Sequence, residues 1–144
     1  MIFLRNKVSI ITDNKFIPID IQIFKGNLND SNILQQQFIN INANMNYSKY
    51  FIADKGYCSS KIRKLLITKN ILPIIPYNKR NTKDKNKINK LTKSEKIRYK
   101  KRIKIEHIFS NLKSNHKLEN RYEKYIDNYE GLLYLYFIKR IYKY

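Results

Sequence analysis

Four side chains in the C-terminal half of the chain combine chemistry with helical spacing. Tyr99, Arg102, Glu106 and Lys113 follow one another at i, i+3, i+7 and i+14. At about 100° per residue they fall within a stripe of roughly 60° on one helix. Ile105, Ile108, Phe109 and Leu112 occupy the neighbouring face and read as its buried side. A phenol, a guanidinium, a carboxylate and an ammonium would then line one edge of an apolar face. Glu106 is the only acid between Glu95 and Glu119, among Lys and Arg. A carboxylate surrounded by cations stays ionised and suits a hard metal ion. The plainer reading is an i,i+4 ion pair with Arg102, worth a few tenths of a kcal/mol.

A second acid changes that balance. Asp54 follows the short apolar run Tyr50–Ala53, in the sequence Ala-Asp-Lys-Gly-Tyr. A carboxylate at the C-terminal end of a buried parallel strand faces the crevice where α/β sheets bind ligands. Gly56 is read as allowing a sharp turn and a close backbone approach. The alternative is an ordinary Asp-Lys-Gly turn.

The elements that must position these groups are legible in the pattern. Lys7–Asp13 is rich in branched residues and predicts a strand, Asn14-Lys15 a turn, and Phe16–Phe24 alternates apolar and polar residues with period two. Together they predict an antiparallel hairpin. Gly26 ends it, and Asp30 and Ser31 lie near the start of a helix carrying Ile33, Leu34 and Phe38. Tyr50–Ala53 and Ile71–Ile75 predict buried strands on either side of a Ser59–Lys69 helix, a βαβ unit with parallel pairing. Tyr77–Lys93 is a basic loop with almost no core-forming residues. Thr92 and Glu95 form a capping-box pattern that opens a long helix over Ser94–Lys113. A last helix over Tyr122–Tyr142 places Tyr122, Tyr125, Ile126, Tyr129, Leu133, Tyr136, Phe137 and Ile141 on one side, with Gly131 read as a site of close packing.

Phe51-Ile-Ala-Asp-Lys-Gly-Tyr57, then Ile74-Ile-Pro76, then the Tyr99, Arg102, Glu106, Lys113 series resemble the insertion-sequence DDE transposases that carry a Tyr-Arg-Glu-Lys signature. Arg121-Tyr-Glu-Lys124 is similar to a motif seen downstream in many members. The resemblance covers nearly the whole chain. It implies a ribonuclease-H-like α/β fold over residues 1–144: one partial catalytic domain with a mixed sheet of hairpin and parallel strands between flanking helices. It also implies magnesium ions held by carboxylates, among them Asp54 and Glu106. Tyr99, Arg102 and Lys113 would contact DNA, and the basic tract Lys79–Lys104 would add sequence-independent affinity for the backbone.

The family's first catalytic aspartate precedes the region that matches Lys7. Met1–Asn6 contains no acid, and neither Asp13 nor Asp20 fits the motif. The expectation is therefore a chain inactive alone, a truncated transposase whose partner is the remaining N-terminal half or an intact enzyme. Two other readings are a non-catalytic DNA-binding protein of transposase origin and a small basic RNA-binding protein.

Composition agrees with a polyanionic partner. Thirty Lys and Arg oppose eleven Asp and Glu, a formal net charge of +19. Such a chain attracts nucleic acid. An AT-rich coding bias explains the preference for Lys and Asn but not the shortage of acids. Hydrophobic residues make up 42% of the chain, enough for a core. The single cysteine, Cys58, excludes an intrachain disulfide and fits an intracellular setting. No apolar run is long enough for a membrane span, and the start lacks a secretion signal. His107 and His116 do not form a zinc pattern.

Overall fold

The computed structural model describes residues 6–41, 49–78, 90–114 and 125–142. The chain divides into two compact units. The first comprises residues 1–26 and 103–144, the second residues 27–102.

The first unit opens with the hairpin of β1 (Asn6–Thr12) and β2 (Pro18–Lys25), which pair antiparallel from Asn6↔Lys25 to Thr12↔Pro18. Its reversal is built by Asp13. The Oδ1 atom accepts from the backbone N–H groups of Lys15 at 2.9 Å and Ile17 at 2.8 Å. These bonds enclose Phe16, which stands at φ 66°, a left-handed conformation uncommon for a bulky residue. The hairpin packs on two helices, here called α4 (Arg102–Lys113) and α5 (Ile126–Ile141). Ile21, Ile108, Leu112, Tyr129, Leu133 and Phe137 form the shared core.

The second unit holds α1 (Asp30–Asn40), β3 (Tyr50–Ile52), a short 3₁₀ turn (Lys55–Tyr57), α2 (Ser60–Thr68), β4 (Leu72–Ile74) and α3 (Lys93–Tyr99). β3 and β4 pair in parallel, with Tyr50↔Leu72 and Ile52↔Ile74, as the βαβ pattern requires. The connection obeys local rules. Ser59 caps α2 through its side chain, which accepts from the Lys61 N–H at 3.2 Å. Asn70 ends the turn after the helix at φ 56°, and Ile71 N–H returns to the Leu66 carbonyl at 2.9 Å. Ile33, Leu34, Ile62, Leu66, Ile74 and Ile75 are almost completely buried. The Phe38 and Phe51 rings meet edge to face at 5.0 Å.

Several expectations need correction. The described strands form two separate two-stranded sheets rather than one mixed sheet. The long helix over Ser94–Lys113 is two helices, broken at Lys100 and Lys101. Lys101 N–H bonds to the Arg98 carbonyl at 3.0 Å, an i−3 bond that tightens the last turn. Like charges weaken a continuous helix here by a few tenths of a kcal/mol per pair. Lys96 with Lys100 and Arg98 with Arg102 are like-charged i,i+4 pairs, each unfavourable in a continuous helix. Gly131 is not a close-packing site, since an added Cβ would meet nothing within 4 Å. On α5 only Tyr129, Leu133 and Phe137 are buried, while Tyr125, Ile126 and Ile141 from the expected apolar side are exposed. Leu135 and Ile138 of α5 are also exposed, among charged residues such as Asp127 and Lys139. Tyr122, the Arg121–Lys124 motif and residues 79–89 of the basic tract lie outside the described residues.

Candidate active site at the carboxyl end of strand β3

Asp54 stands two residues beyond β3, next to Ala53, whose N–H reaches the Ile74 carbonyl at 3.5 Å. Asp54 is the N-cap of the 3₁₀ turn. Its Oδ1 accepts from the Lys55 N–H at 2.7 Å, and its carbonyl accepts from the Tyr57 N–H at 3.0 Å. The side chain is thus fixed by the turn that follows it.

Tyr99, the last residue of α3, donates its hydroxyl to the same Oδ1 at 3.2 Å. The Arg102 guanidinium stands 5.4 Å from the centre of the Tyr99 ring, within cation–π range. Asp54, Tyr99 and Arg102 are therefore gathered in the second unit. The break at Lys100–Lys101 falls between Tyr99 and Arg102, so the phenol is presented by α3 and not by the helix that carries Glu106. Glu106 and Lys113 are exposed residues of α4 and belong to the first unit.

Gly56 lies in the turn beside Asp54. Its φ is not positive, so the backbone there does not require glycine. The expected reason, a sharp turn, gives way to a spatial one. A Cβ at this position would lie 3.1 Å from Asp30 Oδ2.

Sequence reading missed the part played by Arg63. In the sequence it is one of several basic residues between Ser59 and Lys69. In the fold its Nη2 donates to the Ile75 carbonyl and lies 3.8 Å from Cys58 Sγ. The guanidinium covers the Tyr77 ring at 3.9 Å. Arg63 thereby braces the segment after Asp54 against the end of β4. A groove of about 480 Å³ runs beside it, lined among others by Leu72, Ile75, Tyr77, Lys90 and Glu95. No sequence signal separates Arg63 from its basic neighbours, because the contact depends on where β4 ends.

Among the described residues no group of three His, Cys, Asp or Glu side chains gathers to hold a metal. Asp54 itself fits a hard cation. Both of its described donors bond Oδ1, and among the described residues Oδ2 accepts no hydrogen bond. Carboxylate oxygens are the ligands that Mg²⁺ prefers.

The arrangement is a carboxylate just beyond a parallel strand of an α/β chain, steadied by a backbone N–H and a phenol, with a guanidinium nearby. The chain belongs to the transposase DDE domain family, which it matches over residues 3–138. No curated protein and no solved structure gives a significant match to it. No helix among the described residues is long and apolar enough to cross a membrane.

Proposed function

We propose that this protein takes part in DNA transposition through Mg²⁺-dependent cleavage and transfer of phosphodiester strands, with Asp54 and Glu106 as two metal-binding carboxylates and the third supplied by a partner, the remaining N-terminal half or an intact enzyme. The family match carries this reading, since its span includes both acids. The hydrogen-bonded setting of Asp54 supports it. A hairpin followed by a helix and a parallel strand pair is also the element order expected of a ribonuclease-H-like fold.

In this reading Asp54 and Glu106 hold the magnesium. When bound, the metal supplies charge neutralisation at the phosphate and an activated oxygen nucleophile. Tyr99 orients Asp54 through its hydroxyl. Arg102 and Lys113 bind phosphate oxygens, Arg102 with the option of two parallel hydrogen bonds. The net charge of +19 supplies sequence-independent attraction to the DNA backbone.

The test pairs metal binding with strand cleavage. Mn²⁺ binding is followed by electron paramagnetic resonance, and Mg²⁺-dependent nicking by gel on a labelled duplex, with the chain combined with the N-terminal half that supplies the third carboxylate. Asp54→Asn and Glu106→Gln are each expected to weaken Mn²⁺ binding and abolish nicking. Metal binding and nicking that survive both substitutions would overturn the assignment.

A further inference from the structure

We propose that Asp30 is a positioning residue for Asp54, acting through the space left at Gly56. Its consequence for catalysis rests on the reading of Asp54 as a metal ligand. Its geometry does not.

The backbone at Gly56 could accept any L-residue, because its φ is not in the left-handed region. What a side chain there would press on is the Asp30 carboxylate, which would have to give by a few tenths of an ångström. A Cβ on Gly56 would lie 3.1 Å from Asp30 Oδ2 and 4.0 Å from Asp30 Cγ. Asp30 cannot easily retreat. It is the first residue of α1, where a helix N-terminus favours a carboxylate, and the start of that helix packs on the 3₁₀ turn. Its side chain is short, with two rotatable bonds. The turn is equally constrained, since Tyr57 N–H bonds the Asp54 carbonyl and Cys58 N–H bonds the Lys55 carbonyl.

The Asp30 carboxylate therefore sets how close the turn can lie to α1. The Asp54–Lys55 peptide, one residue before Gly56 in the same turn, supplies the Lys55 N–H that holds Asp54 Oδ1 at 2.7 Å. Pressure at Gly56 reaches Asp54 through the turn, by way of the Lys55 N–H on its carboxylate and the Tyr57 N–H on its carbonyl, and alters its alignment with Tyr99. Asp30 touches no reacting atom in this scheme. It fixes the turn, and the turn fixes the carboxylate.

The experiment is a double-mutant cycle on the full chain: wild type, Gly56→Ala, Asp30→Ala and the Gly56→Ala/Asp30→Ala pair, with Gly56→Ala/Asp30→Asn as a control of equal size. The readouts are thermal midpoint and the ¹³C resonance of the Asp54 carboxyl. Gly56→Ala is expected to lower Tm by about 4 °C and to move the Asp54 resonance. Asp30→Ala should cancel most of both effects in the Gly56→Ala background, whereas Asp30→Asn should not, because the amide fills the same volume. Should Gly56→Ala fail to fold, recovery of folding in the Asp30→Ala pair supports the coupling, and its absence overturns it. Additive effects, or an Asp54 resonance unmoved by Gly56→Ala, would also overturn it. Mn²⁺ titration separates the two readings. About tenfold weaker binding in Gly56→Ala is expected for a supporting contact. A wild-type chain whose Asp54 resonance ignores Mn²⁺ sinks the metal assignment and leaves the Asp30–Gly56 coupling standing.

Discussion

The hydroxyl of Tyr99 donates to Asp54 Oδ1 at 3.2 Å across 45 positions of sequence. The bond joins the end of α3 to the carboxylate beyond β3, and the Lys55 N–H shares the same oxygen. Removing one of two donors weakens the alignment without deleting the carboxylate. Tyr99→Phe is expected to slow Mg²⁺-dependent nicking by about three- to tenfold, the weight of one hydrogen bond. Asp54→Asn should abolish it. Single-turnover rates on a labelled duplex, measured with the N-terminal half that supplies the third carboxylate, check both.

The capping box at the start of α3 predicts a pH dependence. Thr92 N–H bonds Glu95 Oε2 at 2.7 Å, and Glu95 N–H bonds Thr92 Oγ1 at 3.3 Å. The hydrogen bonds from the Thr92 backbone and side chain hold the Glu95 carboxyl below its ordinary value of 4.5, with Arg63 and Arg98 assisting. A depressed folded-state value means the contribution is present above 4.5 and is lost as pH falls through the lowered value. Amide exchange in Lys93–Arg98 should accelerate over that acidic range. Thr92→Ala should cost about 1 kcal/mol at neutral pH and weaken the pH dependence only in part, because the Thr92 backbone N–H still bonds Glu95, whereas Glu95→Ala should flatten it.

The hairpin reversal depends on one side chain. Asp13 satisfies two backbone N–H groups and encloses Phe16 in its left-handed conformation. Asp13→Ala leaves both donors without this partner and is expected to destabilise the chain by about 1–2 kcal/mol. Asp13→Asn, which keeps an acceptor oxygen, should lose less. Urea unfolding midpoints at constant slope distinguish them.

Gly131 offers a stabilising change. It lies inside α5 with nothing within 4 Å of an added Cβ. Gly131→Ala removes the entropic cost of a helical glycine and should raise stability by about 0.5–1 kcal/mol. A fall in stability would mean that this side of α5 meets a close neighbour in solution.

DNA binding should be electrostatic in character. With a net charge of +19, affinity for a duplex of arbitrary sequence is expected to fall steeply with salt. Arg102→Ala should reduce the slope of log K against log salt by about 1 if it neutralises one phosphate. Fluorescence anisotropy across a salt series checks this.

What the sequence determined by itself was local. Alternation in Phe16–Phe24, the turn at Asn14-Lys15, the Thr92–Glu95 box and the strand–helix–strand order of residues 50–75 each encode their own periodicity or cap, and the structure has all of them. Asp54 was legible as a carboxylate at a strand end for the same reason. Tertiary structure decided the rest. The helix wheel placed Tyr99 and Glu106 on one continuous helix, yet repulsion along Lys96–Arg102 favours a break, and Tyr99 then meets Asp54 from a separate element. The use of Gly56 depends on Asp30, and the use of Arg63 on the end of β4. Spacing records what a residue shares with its own helix or strand. It does not record which carboxylate or carbonyl from a distant segment will occupy the space beside it, because packing of the whole unit sets that.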